Sequence, residues 1–145
     1  MITVEELMTT EIFTLTPDDT AHRAHELMAE NRIRHLPVLD KDGSMIGLVT
    51  ERDLLAASVS ALAELSEQER GEMEAGIPVS ALMSIELVYA DLDTSLSEAA
   101  AYLLKSAHGC LPVLHEGALR GIITETDIVA MTARILDAMG RRDKK

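Results

Sequence analysis

The chain has 145 residues, of which 47% are hydrophobic, 2% aromatic and 26% charged, and its formal net charge at pH 7 is −12. That composition supports a buried aliphatic core, argues against disorder, and lacks the aromatic platforms on which single-stranded nucleic acids stack. A field of this sign repels phosphate backbones and anionic membrane surfaces, so nucleic acid and membrane are not expected partners, and a small anionic ligand requires a local group of cations.

From the N terminus, the pattern predicts a helical turn over residues 4–8 and a short strand over 12–15, ended by Thr16-Pro17. Asp19 or Thr20 can cap a helix running to about Asn31, with Ala21, Ala24, Leu27 and Met28 on its apolar face. Residues 34–39 read as a strand and Asp40-Lys41-Asp42-Gly43 as a hairpin turn, the glycine supplying positive φ. Residues 45–49 return as the second strand, and Thr50 stands before a helix containing Asp53, Leu54 and Leu55. Residues 57–76 are acidic, and Leu62 and Leu65 suit an amphipathic extension of that helix whose glutamates form a solvated face.

The remainder repeats this course. A shift of 75 lays residues 2–8 on residues 77–83 and superposes Leu36-Pro37-Val38-Leu39 on Leu111-Pro112-Val113-Leu114. One residue is missing from the second turn, so the shift becomes 74 and Gly47-Leu48-Val49-Thr50-Glu51-Arg52-Asp53 matches Gly121-Ile122-Ile123-Thr124-Glu125-Thr126-Asp127. The second copy thus predicts a strand near 87–90, a helix over 95–105, strands at 110–114 and 119–123 around Glu116-Gly117, and a helix from Thr124. The fold class is α+β (α/β): two β-α-β-β-α repeats, each too small to cover both faces of its own sheet, packed sheet to sheet with pseudo-twofold symmetry. The boundaries are 1–58 and 76–137 for the repeats, 59–75 for an acidic helical linker and 138–145 for a short charged tail.

An apolar strand ending in Leu-Pro-Val, a hairpin, and then Gly-apolar-apolar-Thr-x-x-Asp resembles the cystathionine-beta-synthase (CBS) domain. Two copies resemble the tandem pair called a Bateman module, here as a stand-alone CBS domain-containing protein. In that family the matching Thr and Asp bind phosphate and ribose, which carries those roles to Thr50 and Asp53 and to Thr124 and Asp127. The chemistry agrees: a threonine hydroxyl at a helix N-terminus can donate to a phosphate oxygen, and a carboxylate one turn on accepts from a vicinal diol. The same Thr-x-x-Asp is also a helix N-cap that binds nothing, and both readings stand. The resemblance places phosphate-contacting cations at Arg34 and His35, where the second repeat has Gly109 and Cys110. It implies two unequal sites, in the cleft between repeats, one of them competent. Thr14 and Val38, with Ile12, Val88 and Val113, are candidates for an apolar adenine slot, and equally for core.

Other chemistries are set aside. His22 and His25 are three residues apart with no third metal ligand at suitable spacing, and they are expected on a solvated face. Cys110 is the only cysteine, which removes disulfides and Cys-x-x-Cys redox chemistry and leaves a small buried apolar residue. No Gly-Lys-Ser/Thr P-loop and no nucleophile–base pair occurs. The start lacks a signal peptide's charged and apolar regions and no run could span a bilayer, so a soluble cytoplasmic protein is expected. The expected function is a non-enzymatic sensor of AMP, ADP, ATP or S-adenosylmethionine as regulatory ligand, with no obligatory cofactor. A homodimer is expected, with apolar residues 128–139 of the last helix as its face or as core, together with an unidentified regulated protein. The alternatives are a structural interaction module without a nucleotide ligand, and a regulator that senses a metal ion or acts without nucleotide.

Overall fold

The computed structural model describes residues 1–59 and 66–143. Its elements are α1 (Val4–Leu7), α2 (Ala21–Asn31), β1 (His35–Leu39), β2 (Met45–Thr50), α3 (Glu51–Val59), α4 (Glu67–Glu74), a 3-10 turn (Val79–Ala81), α5 (Leu96–Lys105), β3 (Cys110–His115), β4 (Ala118–Thr124) and α6 (Glu125–Asp143). β1 pairs antiparallel with β2, and β3 with β4. Each copy of the repeat is thus a two-stranded antiparallel sheet with helices, an α+β fold.

The two hairpins differ only where the sequences do. In the first, Asp40 N donates to Ser44 O, leaving a three-residue loop in which Gly43 has φ 83°; Asp40 Oδ1 accepts from Asp42 N and Ser44 N. In the second, His115 pairs with Ala118 around Glu116 (φ 52°) and Gly117 (φ 81°), the two successive positive φ values of a tight two-residue hairpin. The one-residue gap between the repeats is the difference between these loops. Both ladders shift register at the same place, between Val38 and Leu39 and between Val113 and Leu114.

The strands expected over 12–15 and 87–90 shrink to one residue each. Leu15 bridges Val38 in parallel, donating to Pro37 O and accepting from Leu39 N at 2.9 and 2.8 Å, and Ala90 does the same with Pro112 and Leu114 at 2.9 and 2.9 Å. Neither bridge continues toward the C terminus: Pro17 has no N–H to give, and Leu92 N donates to Asp91 Oδ1 at 2.6 Å.

Packing sorts the chain into two units, residues 12–87 and residues 1–11 with 88–145. Residues 1–11, which sequence similarity assigns to the first repeat, therefore pack with the second. In that unit Leu96 N donates to Ile2 O, Val4 N to Thr94 O, and Thr9 and Ile122 exchange two backbone bonds of 2.9 and 3.0 Å. In the unit of residues 12–87 the matching bonds run from Ala21 N to Ile77 O, from Val79 N to Asp19 O, and both ways between Ser84 and Leu48 at 2.8 and 3.0 Å. Each opening segment thus supplies the partner that the open edge of a hairpin's outer strand requires. It also plugs a core: Val79 is fully buried among Leu15, Leu36, Val38, Val49 and Leu54, and Val4 among Leu96, Leu111, Val113 and Ile123. Burying each such side chain stabilises by about 1.5–3 kcal/mol. Ala21, Ala24, Leu27 and Met28 form the buried face of α2, as its periodicity predicts.

The linker departs from a single extended helix. α4 has its own N-cap, Ser66, whose hydroxyl accepts from Glu69 N at 3.2 Å; Glu64, Leu62 and Leu65, like the last two tail residues, lie outside the described residues. Its glutamates are not one solvated face either. Glu67, Glu69 and Glu72 are exposed, but Glu74 is 9% exposed and accepts a 2.8 Å bond from His25 Nδ1. His25 is therefore half-buried against α4 rather than solvated, while His22 is exposed. Among the described residues no helix is long and apolar enough to cross a membrane.

Candidate functional site

Each hairpin delivers its outer strand directly into a helix, and the turn between them carries the Thr-x-x-Asp motif. Asp53 Oδ2 accepts from Thr50 N at 2.8 Å and Thr50 Oγ1 accepts from Asp53 N at 3.2 Å, a reciprocal capping box at the start of α3. The second copy repeats it at α6, with Thr124 N to Asp127 Oδ2 at 2.9 Å and Asp127 N to Thr124 Oγ1 at 3.3 Å. The capping role is thus present in both copies, and any ligand chemistry must use what the boxes leave over.

What they leave over differs. Thr50 Oγ1 donates to no described residue, and Asp53 Oδ1 accepts from none. In the second box Thr124 Oγ1 donates to Asp127 Oδ2 at 3.2 Å, and Asp127 Oδ1 accepts from Thr9 Oγ1 at 3.2 Å. A carboxylate offers about four lone-pair positions. Asp53 spends one of them and Asp127 three, so only Asp53 can receive both hydroxyls of a vicinal diol.

The charge beside the boxes differs as well. In residues 12–87, Arg34 O accepts from Glu51 N at 2.9 Å and His35 pairs with Thr50 across the ladder, so the start of β1 lies beside the first box. Arg34 is exposed, His35 is half-buried and Thr50 is 7% exposed. In the other unit Gly109 O accepts from Glu125 N at 3.3 Å, and the residue opposite Thr124 is Cys110, 2% exposed, its thiol pushed up to about 12 by burial. The backbone frames match; only one holds an arginine.

The adenine-slot candidates scatter. Thr14 is exposed and Ile12 half-buried, while Val38 is fully buried in the core of residues 12–87. In the other unit Val113 is fully buried and Val88 is 52% exposed. The glycine that opens each motif faces a methionine: a Cβ on Gly47 would lie 2.8 Å from Met83 Cγ, and one on Gly121 2.7 Å from Met8 Cγ. Met8 and Met83 are superposed by the 75-residue shift, a signal that marks them as equivalent without saying what they touch. Thr9 carries no sequence signal for its bond to Asp127. For His22 and His25, no third His, Cys, Asp or Glu among the described residues converges as a metal ligand.

Comparison with known proteins finds one family model matched twice. The CBS domain model matches residues 4–60 and again residues 79–133. A CBS domain-containing protein of Dictyostelium discoideum is 31% identical, over 94% of each chain. An uncharacterised protein of Methanocaldococcus jannaschii is 32% identical over 90% of this chain, which spans only 32% of that relative's length. Among solved structures, CBSX2 of Arabidopsis thaliana in complex with AMP superposes with a TM-score of 0.76 at 30% identity, covering 93% of this chain and 98% of that one. The chain belongs to the CBS domain family, of which it carries a tandem pair.

Proposed function

We propose that this CBS pair is a regulatory module that binds an adenosine-containing ligand, with Arg34, Thr50 and Asp53 as its principal polar contacts. The observation that carries the reading is the first capping box, which keeps a donor hydroxyl and a carboxylate oxygen beside an exposed arginine. Arg34, with His35, offsets phosphate charge against a chain of net charge −12. Thr50 Oγ1 donates to a phosphate oxygen at the N-terminus of α3, and Asp53 receives the ribose diol. Thr14 and Ile12 border the base, and Val38 backs it from the core. The complex of CBSX2 with AMP supports the ligand class. Binding changes the packing of protomers or of a regulated partner by favouring one arrangement over another. The exposed Val129 (66%), Leu136 (61%) and Met139 (55%) of α6 are the proposed protomer contacts.

A thermal-shift screen against AMP, ADP, ATP and S-adenosylmethionine tests this. A ligand at a hundred times its dissociation constant adds about 2.7 kcal/mol of stability, a rise of several degrees in Tm. The rise should vanish in Asp53→Ala. Flat traces with all four ligands would favour a second reading, a structural interaction module, which the capping role of both boxes supports. On that reading Asp53→Ala costs about 1 kcal/mol and changes nothing else.

A further inference from the structure

We infer that Thr9 is the residue that makes the two boxes unequal: its hydroxyl closes Asp127, so Asp127 holds the fold while Asp53 reads the ligand. This rests on the adenosine reading above. Thr9 follows α1, and its main chain is fixed by two bonds to Ile122, 2.9 and 3.0 Å long. Its hydroxyl is thereby held 3.2 Å from Asp127 Oδ1. Together with the 2.9 Å bond from Thr124 N and the 3.2 Å bond from Thr124 Oγ1, this occupies three of about four acceptor positions.

The matching position in residues 12–87 is Ser84, fixed in the same way to Leu48 by bonds of 2.8 and 3.0 Å. Yet Asp53 Oδ1 accepts from no described residue. Exchanging the opening segments between repeats therefore places a threonine on one carboxylate and leaves the other open. A vicinal diol reaching Asp127 must displace the Thr9 hydroxyl, whereas at Asp53 it meets an oxygen that accepts from no described residue. Losing one hydrogen bond to a charged acceptor weakens binding about tenfold.

Calorimetric titration with adenosine, which has the diol and needs no cation, tests the assignment on five proteins: wild type, Asp53→Ala, Asp127→Ala, Asp53→Ala/Thr9→Val and that double variant with Asp127→Ala added. Wild type should bind through Asp53, and Asp53→Ala should lose that binding. Adding Thr9→Val should give a new site about tenfold stronger than any residual binding in Asp53→Ala, abolished by Asp127→Ala. Binding that depends on Asp53 but is unmoved by Thr9→Val would overturn the role of Thr9 and leave the adenosine reading standing. Wild-type binding lost in Asp127→Ala but kept in Asp53→Ala would reverse the assignment. Silence from every protein, with AMP also failing to bind wild type, would remove the adenosine reading itself, and the role of Thr9 with it.

Discussion

Substituting Gly47 by alanine should destabilise the fold, and the cost should come from one neighbour. No positive φ requires glycine there, so the residue is kept for space. An added methyl would lie 2.8 Å from Met83 Cγ and 3.1 Å from Met83 Cβ. Rotating the far end of the methionine clears neither atom. Met83 N is tied to Val79 O at 2.8 Å, and the adjacent Ser84 is tied both ways to Leu48. Overpacking of this kind costs about 1–3 kcal/mol. The restricted unfolded chain returns about 0.4–1 kcal/mol, leaving a net loss of up to about 2.5 kcal/mol. Met83→Ala alone removes a half-buried side chain and should sit near the bottom of the ~2–5 kcal/mol range for core truncations. In the Met83→Ala background only the 3.1 Å approach to Cβ at position 83 remains, so Gly47→Ala should be close to neutral. Urea unfolding of the four proteins measures the coupling, expected at about 1–3 kcal/mol. If Gly47→Ala costs the same in both backgrounds within about 0.5 kcal/mol, Met83 is not the reason for the glycine. Gly121 and Met8 should behave alike.

Three further outcomes follow from the described contacts. Burial raises the Cys110 thiol from 9.0 to about 12, so its contribution to stability is complete below pH 9 and is lost as pH rises toward 12. The stability difference between wild type and Cys110→Ala should therefore narrow above pH 9, and a constant difference in urea unfolding would contradict this. Hydrogen bonds from His115 Nδ1, at 3.1 Å, and from Leu92 N hold the Asp91 carboxyl below 3.8. Its contribution is present above pH 3.8 and lost as pH falls through the lowered value; carboxyl carbon NMR should show the midpoint rising toward 3.8 in His115→Ala, and an unmoved midpoint would refute the cause. His25→Ala leaves the buried Glu74 carboxylate without its partner and should cost about 1–2 kcal/mol in urea unfolding, partly recovered by adding Glu74→Gln. An effect under 0.5 kcal/mol would mean that water replaces the histidine at no cost.

Most of the fold was legible because it is written twice. Two copies of Leu-Pro-Val and of Gly-x-x-Thr-x-x-Asp set both hairpins and both strand-to-helix turns, and the single gap fell in the loop that is one residue shorter. The alternation and helical periodicity that name elements carry no information about which copy they pack on. Residues 2–9 and 77–84 therefore read as parts of their own repeats, although each completes the other's hairpin. The strands expected at 12–15 and 87–90 are one bridging residue each, because an apolar run does not show how many of its residues a partner strand reaches. His25 looked solvated because its partner Glu74 lies 49 residues away, in a linker whose charge suggested only water. At the site, the motif gave Thr50, Asp53, Thr124 and Asp127, and the arginine at position 34 marked the two copies as unequal. The third determinant, the Thr9 hydroxyl, exists only through the exchanged segment.

The central claim is that the first box, and not the second, takes an adenosine ligand. Titration calorimetry of AMP into wild type, Asp53→Ala and Asp127→Ala tests it most directly. The account predicts one equivalent per chain in wild type, lost in Asp53→Ala and kept within about threefold in Asp127→Ala, a difference below one hydrogen bond's weight. Two equal sites, or binding that survives Asp53→Ala and disappears in Asp127→Ala, would contradict it.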